Sequence, residues 1–275
     1  MNTALDNTPP DQTTVADILS AERRGWARAG FQGGLIVLVI LGCAVQTGLA
    51  DWQRLSEGVP AMMTLFGDMI PPDFSSAEKW IVPILDTLAM SIAGTALAVG
   101  LSLPLGFLAA RNTAPNPTVY WIAKGTLNFL RAVPELIMGI VFVAAVGFGA
   151  LQGVLALGLH SVGMIGKFFA ENIEHAHPAP VEAARAAGGS ELQVITHGIM
   201  PQVMPHFADV IMYRWEYNFR TSTVMGMVGA GGIGLELMGS LRIMQYNEVL
   251  AILIVILAMV TLVDGASALL RHRFK

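Results

Sequence analysis

Apolar runs long enough to cross a bilayer alternate with short polar breaks along this chain, and that alternation predicts an all-α polytopic membrane protein. Residues 1–30 are polar, with Pro9-Pro10 and a basic cluster at Arg23, Arg24 and Arg28, and read as a tail leading into an interfacial helix. A charge-free run from Phe31 to Ala50 follows, long enough for about 30 Å of hydrocarbon. Its Gly48-Leu49-Ala50 end has the small residues of a signal-peptidase site. The long polar stretch before it and the full-length apolar run favour a retained anchor. Residues 31–275 then form one transmembrane domain.

The segment 51–80 is amphipathic and acidic, and Pro60 to Ile70 predicts a short surface helix that Pro71-Pro72 stops. Ile81 to Ala110 predicts a second crossing, with Gly94, Ala98 and Ser102 at four-residue spacing for close helix approach. Thr118 to Arg131 starts at the interface, Ala132 to Val146 supplies a third crossing, and Pro134 kinks it near Arg131. Glycines at 147, 149 and 153 break the run before a fourth helix from about Leu151 to Phe169. Within the polar segment 171–205, Val181 to Pro205 reads as two short helices around a glycine turn. A fifth crossing from His206 to Met227 carries Asp209, Arg214, Glu216 and Arg220. After the run Gly229-Ala230-Gly231-Gly232-Ile233-Gly234, Val249 to Leu269 forms a sixth.

Composition agrees with the pattern. The chain is 54% hydrophobic and only 13% charged, whereas soluble domains carry about 25% charged residues. A net charge of -4 gives no reason to expect a nucleic-acid partner. The single cysteine, Cys43, excludes an intramolecular disulfide and a cysteine metal cluster. With about six crossings both termini share a side. Placing them inside puts Arg23, Arg24, Arg28, Arg111, Lys124, Arg131, Lys167, Arg185 and the C-terminal Arg271, Arg273 and Lys275 inside. Only Arg54, Lys79 and Arg242 fall outside. That is the positive-inside distribution, and it sends segment 171–205 to the cytoplasm.

No enzyme motif emerges. His175, His177, Glu174 and Glu182 crowd one loop, but their spacing fits no zinc helix or facial triad. The glycine run 229–234 follows a membrane helix rather than a strand, so it reads as a tight turn or re-entrant bend instead of a phosphate loop. Ionised side chains inside the membrane are costly, about 2.5–3.5 kcal/mol each on insertion scales. Glu216 and Arg220 stand one turn apart, as do Arg131 and Glu135. They either neutralise each other, letting helices pack, or line a polar path in which Arg131, Arg214 or Arg220 meets an anion.

Glu182-Ala183-Ala184, Gly188 and Pro201 match, in residue and spacing, the cytoplasmic coupling loop of ABC-importer permeases. The block that usually reads Ile-x-Leu-Pro is here Gly198-Ile199-Met200-Pro201, departing at its first and third positions. Arg131 to Leu136, Tyr213-Arg214-Trp215-Glu216 with Asn218 and Arg220, and Val228 to Gly234 resemble the phosphonate-importer permeases, the PhnE group. The resemblance extends from about Pro71 to the C-terminus. It implies a MetI-like type I permease fold in a bacterial inner membrane, both termini cytoplasmic. It implies a homodimer worked by two cytoplasmic ABC ATPase subunits and served by an external solute-binding protein. ATP and Mg would sit on the ATPase, with no cofactor and no catalysis on this chain. Glu182, Ala183, Ala184, Gly188 and Pro201 would couple to the ATPase. Arg131, Glu135, Arg214, Glu216 and Arg220 would line the path of a phosphonate or similar oxyanion. Related permeases carry phosphite, phosphate-like anions or methionine on the same frame. An ion-coupled secondary transporter is a rival that explains the membrane charges but not the Glu182 motif.

Overall fold

The computed structural model describes residues 12–274, so the expected polar tail is seen only from Gln12, and Lys275 lies outside the described residues. Every regular element among them is helical. Contacts divide the chain into a unit ending at Gly67 and a larger one from Asp68 onward.

In the first unit, α1 (Gln12–Gln46) is one continuous helix. The interfacial segment and the first crossing are therefore not separate elements, because no Pro or helix-ending turn separates them. α2 (Trp52–Met69) continues through Pro60, longer than the helix expected from Pro60 to Ile70. Its start is fixed by Asp51, whose Oδ1 accepts the Arg54 N–H at 3.1 Å and so satisfies one of the free donors of the first turn. Pro71-Pro72 follows its end.

The larger unit is built around α6 (Ala150–Glu174), against which α3 (Ile81–Leu108), α4 (Pro117–Ala132), α5 (Glu135–Val146) and α9 (Met200–Met225) pack. α3 and α6 run parallel. Gly94 faces Leu157 and Gly158, Gly106 faces Phe169, and the Ser102 hydroxyl donates to the Val162 carbonyl at 3.1 Å. The small-residue stripe expected on α3 thus meets α6, where van der Waals contact replaces the hydrophobic drive that lipid cannot supply. On the other side Gly163 touches α4: a Cβ there would stand 2.6 Å from the Arg131 nitrogen and 2.7 Å from the Leu127 carbonyl oxygen. Below this, Leu127, Ile165, Phe169, Ile199 and Phe207 form a buried cluster, with the Phe169 and Phe207 rings stacked 3.8 Å apart.

The third crossing is more than kinked. Val133, before Pro134, is extended (φ -83°, ψ 120°), as steric pressure from the proline ring demands, and α4 and α5 meet at 85°. α5 has 12 residues, a reach of about 18 Å at 1.5 Å per residue, so it does not span alone. α9 and α10 (Ile233–Arg242) form a second bent pair, at 58°. Among the described residues four helices are long and apolar enough to cross, or up to six if each bent pair is one span, which meets the expectation of about six. Between α9 and α10 a π-helical segment, Gly226–Ala230, leads into Gly231 and Gly232, both at positive φ. Thr87 of α3 pins this turn, accepting the Ile233 N–H at 2.9 Å. α11 (Tyr246–Phe274) packs against α9 and α10.

Candidate coupling loop and intramembrane charge cluster

The polar segment after α6 folds as α7 (Pro178–Ala186), a turn, the short α8 (Glu191–Gln193) and a π-helical stretch, Val194–Ile199, that runs into α9. The second helix of the expected hairpin is therefore the beginning of α9, not a separate element. His177, one of the crowded loop histidines, caps α7, its Nδ1 accepting the Ala179 N–H at 3.3 Å. Pro178 and Pro180 suit the first turn, where their missing N–H groups cost nothing. Gly188 closes the helix at φ +78°, and the Gly188 and Gly189 N–H groups satisfy the Arg185 and Ala184 carbonyls at 2.9 and 3.1 Å.

No residue of α7 is buried. Glu182, Ala183 and Gly188 are exposed, Ala184 is half-buried, and Pro201 is exposed in the first turn of α9. Gly198 explains the departure from the usual block: a Cβ there would lie 3.1 Å from the Val181 Cα and 3.3 Å from the Pro180 oxygen. α7 rests directly on that position, and isoleucine would push it away. Gln202, which the sequence did not single out, is the tether. Its Oε1 accepts the His177 N–H at 2.8 Å, and its Nε2 donates to the His177 and Gly198 carbonyls at 3.3 and 2.5 Å. The Arg185–Glu191 pair at 3.7 Å is solvent-exposed and adds little. α7 is thus a short helix with every side chain at least partly open, held at its foot by Gln202.

The membrane charges pair differently from the expectation. Glu216 and Arg220 do not bond each other. The Arg220 Nη2 donates to both carboxylate oxygens of Asp264 at 2.8 and 2.7 Å, and Arg271 pairs with Glu216. Both partners come from α11, so the charges staple two helices where an i,i+4 pair would have stiffened one. Asp264 was the missed signal, an acid inside the sixth apolar run opposite a fifth helix rich in arginine. Arg131 and Glu135 do not pair either, because the 85° break lies between them. Arg131 is exposed and in no ion pair among the described residues. Glu135 accepts the Tyr217 hydroxyl at 2.7 Å and lies 3.3 Å from the His160 Nε2. His160 Nδ1 faces the Val133 carbonyl at 3.0 Å. A carbonyl only accepts, so Nδ1 carries hydrogen, and the Nε2 contact is attractive when a second proton sits on either partner.

Arg214 lies at the centre of this group, 4% exposed. Its guanidinium carbon stands 4.1 Å from the Tyr217 ring centre, and its Nε donates to the Ser161 hydroxyl at 2.8 Å. The Ser161 hydroxyl donates to Asn218 Oδ1 at 2.9 Å, and Asn218 Nδ2 donates to Thr95 Oγ1 at 2.9 Å. One chain of hydrogen bonds thus joins α3, α6 and α9, and Tyr217, Glu135 and His160 extend the polar cluster to α5. Arg214 Nη2 remains buried without an acceptor. A buried cationic donor left unpaired costs more than a neutral one, so this position favours an anion whenever one can reach it.

The comparisons with known proteins agree with this architecture. Residues 102–275 match the family model described as binding-protein-dependent transport system inner membrane component. The phosphite transport system permease protein PtxC of Stutzerimonas stutzeri is 66% identical over 251 residues, covering 91% of each chain. The phosphate-import permease PhnE of Mycolicibacterium smegmatis is 42% identical over 206 residues, 75% of this chain and 39% of that one. In solved structures, the inward-facing MetNI methionine ABC transporter superposes with a TM-score of 0.63 at 19% identity, over 71% of this chain and 96% of that chain, a likeness of fold. The chain belongs to the family of inner membrane components of binding-protein-dependent transport systems, and it has the MetI-like permease fold.

Proposed function

We propose that this chain is the permease subunit of an ATP-driven importer for a small phosphorus oxyanion, phosphite or a phosphonate. The observation that carries the reading is the 66% identity to a phosphite permease, sustained over nine-tenths of both chains. Two such chains would form the pore, two ATPase subunits would bind the exposed coupling helices in the cytoplasm, and an external binding protein would deliver the anion. The chain itself would bind no cofactor; ATP and Mg would belong to the ATPase.

The largely exposed α7 supports the coupling role. ATP-driven closure of the ATPase subunits would move α7, and Gln202 with Gly198 would pass that movement to α9. The same helix carries Arg214, Glu216 and Arg220, so movement of the coupling loop and rearrangement of the charges would be mechanically linked. In the path, Arg214 would offer its unpaired Nη2 and Arg220 the rest of its fork. Arg131, exposed at the α4–α5 break, would add a third cation. Glu135 and Glu216 would keep their neighbours oriented.

Uptake into proteoliposomes tests the reading. Permease, ATPase and binding protein together should accumulate phosphite or a phosphonate only with ATP inside, and should not accumulate methionine. Uptake driven by a proton gradient without the ATPase would instead establish a secondary transporter, and methionine accumulation would reassign the substrate.

A further inference from the structure

Where α3 and α6 end and the coupling segment begins, two cations converge on one oxygen. Arg111 Nε donates to the Tyr120 hydroxyl at 3.1 Å and Lys124 Nζ donates to it at 2.5 Å. Lys124 Nζ also stands 5.9 Å from the centre of the Trp121 ring. Neither side chain is in an ion pair among the described residues. The nearby acid, Glu174, accepts the Arg111 backbone N–H at 2.9 Å and attracts the Arg111 guanidinium, so its single negative charge offsets one of the two cations and leaves a net positive charge. One phenol oxygen cannot satisfy a guanidinium and an ammonium, so most of their donors stay available.

Beside Arg111 opens a cavity of about 430 Å³, bounded also by Asn116, Pro117, Tyr120 and Trp121; Lys124 is outside its lining and reaches the shared Tyr120 oxygen from one turn further along α4. The cavity lies against the first turn of α4, whose helix dipole adds to the positive potential. From the cavity, an apolar stripe runs along the outer face of α4: Trp121, Ile122 and Phe129 are 64%, 65% and 68% exposed. A cavity edged by Arg111, with Lys124 on the same tyrosine oxygen and an open apolar track leading away, has the shape and charge of a phospholipid's complement.

We propose that this is a binding site for an acidic phospholipid, its phosphate bridging Arg111 and Lys124 and an acyl chain lying along Trp121, Ile122 and Phe129. Charge complementarity selects the occupant. A glycerol or second phosphate beyond the bridging group is tolerated by two cations, whereas a choline is repelled. Basic pockets at the ends of membrane helices hold such headgroups through the same balance.

Native mass spectrometry of the complete transporter tests it, titrating phosphatidylglycerol and phosphatidylcholine. Phosphatidylglycerol should be retained, and R111Q/K124Q should weaken it roughly 10- to 30-fold. R54Q/R242Q, which removes two cations elsewhere, should leave it unchanged, and R111K/K124R should hold an intermediate amount. A measurement on the unaltered charges avoids any folding defect: brominated phosphatidylglycerol should quench tryptophan fluorescence more than brominated phosphatidylcholine, and W121F should remove that difference. Equal retention by R111Q/K124Q, or equal quenching by the two lipids, overturns the proposal. So does full displacement of the lipid by millimolar inorganic phosphate, which would show a free-anion site. Loss of the ATPase from R111Q/K124Q with lipid retention intact would mark a protein-docking surface instead, and also overturns it.

Discussion

Arg214 is tied by Nε to Ser161, stacked on Tyr217 and left with a buried Nη2 that nothing accepts. Arg214→Ala should therefore lower uptake by about tenfold or more, the worth of a charge-assisted hydrogen bond, while the complex still assembles. Arg214→Lys should recover little, since an ammonium neither stacks nor spans two acceptors as a guanidinium does. Equal loss of uptake and of assembled complex would make the residue structural. Arg220 requires a different design because Asp264 holds it. Arg220→Ala should reduce both yield and uptake, and the exchange R220D/D264R should restore yield but not uptake. Wild-type uptake by the exchanged variant would remove Arg220 from the path. Asn218 bridges Ser161 and Thr95. Asn218→Ala leaves both hydroxyls short of a partner in the bundle interior, and should lower stability by about 1–3 kcal/mol in a detergent-unfolding titration.

At the scale of elements, α7 and α4 make opposite demands. α7 has no fully buried residue, so its outer face is free to serve a partner: Glu182→Lys should weaken co-purification of the ATPase without lowering the amount of permease in the membrane. Retention of the ATPase by that variant would count against docking through this face. α4 is held by backbone-to-backbone proximity to α6 at Gly163, and Gly163→Leu would drive a side chain into the Arg131 and Leu127 backbone. Overpacking of this kind costs about 1–3 kcal/mol or more, so the variant should accumulate poorly. Helix positions were legible in the sequence because apolar length and proline placement are local properties. The hairpin of two short helices was not, since only packing of Gly198 on α7 lets the chain continue through a π-helical stretch into α9. The charge pairing was misread for a related reason. Spacing along one helix names possible partners at i+4, but Asp264 and Arg271 enter only when α11 lies against α9.

For the molecule as a whole, transport requires alternation of the pore's two ends, and a helix bundle achieves it by moving packed bodies past one another. ATP dependence follows at this scale. Uptake should vanish when the ATPase is omitted. The amino-acid sequence by itself determined the apolar helices long enough to span, the expected sidedness through its Lys and Arg distribution, and the short polar helix and glycine turn from Glu182 to Gly188, because each rests on local hydropathy, charge or turn chemistry. The tertiary structure decided what depends on helices meeting. It turned the third crossing into two helices at 85°, gave Arg220 and Glu216 partners from α11, joined Arg214 to His160 and Glu135 through Tyr217, and left α7 exposed on a Gln202 tether. These contacts join residues far apart in the chain, and hydrogen bonds of that reach are fixed by packing geometry, which no sequence interval encodes.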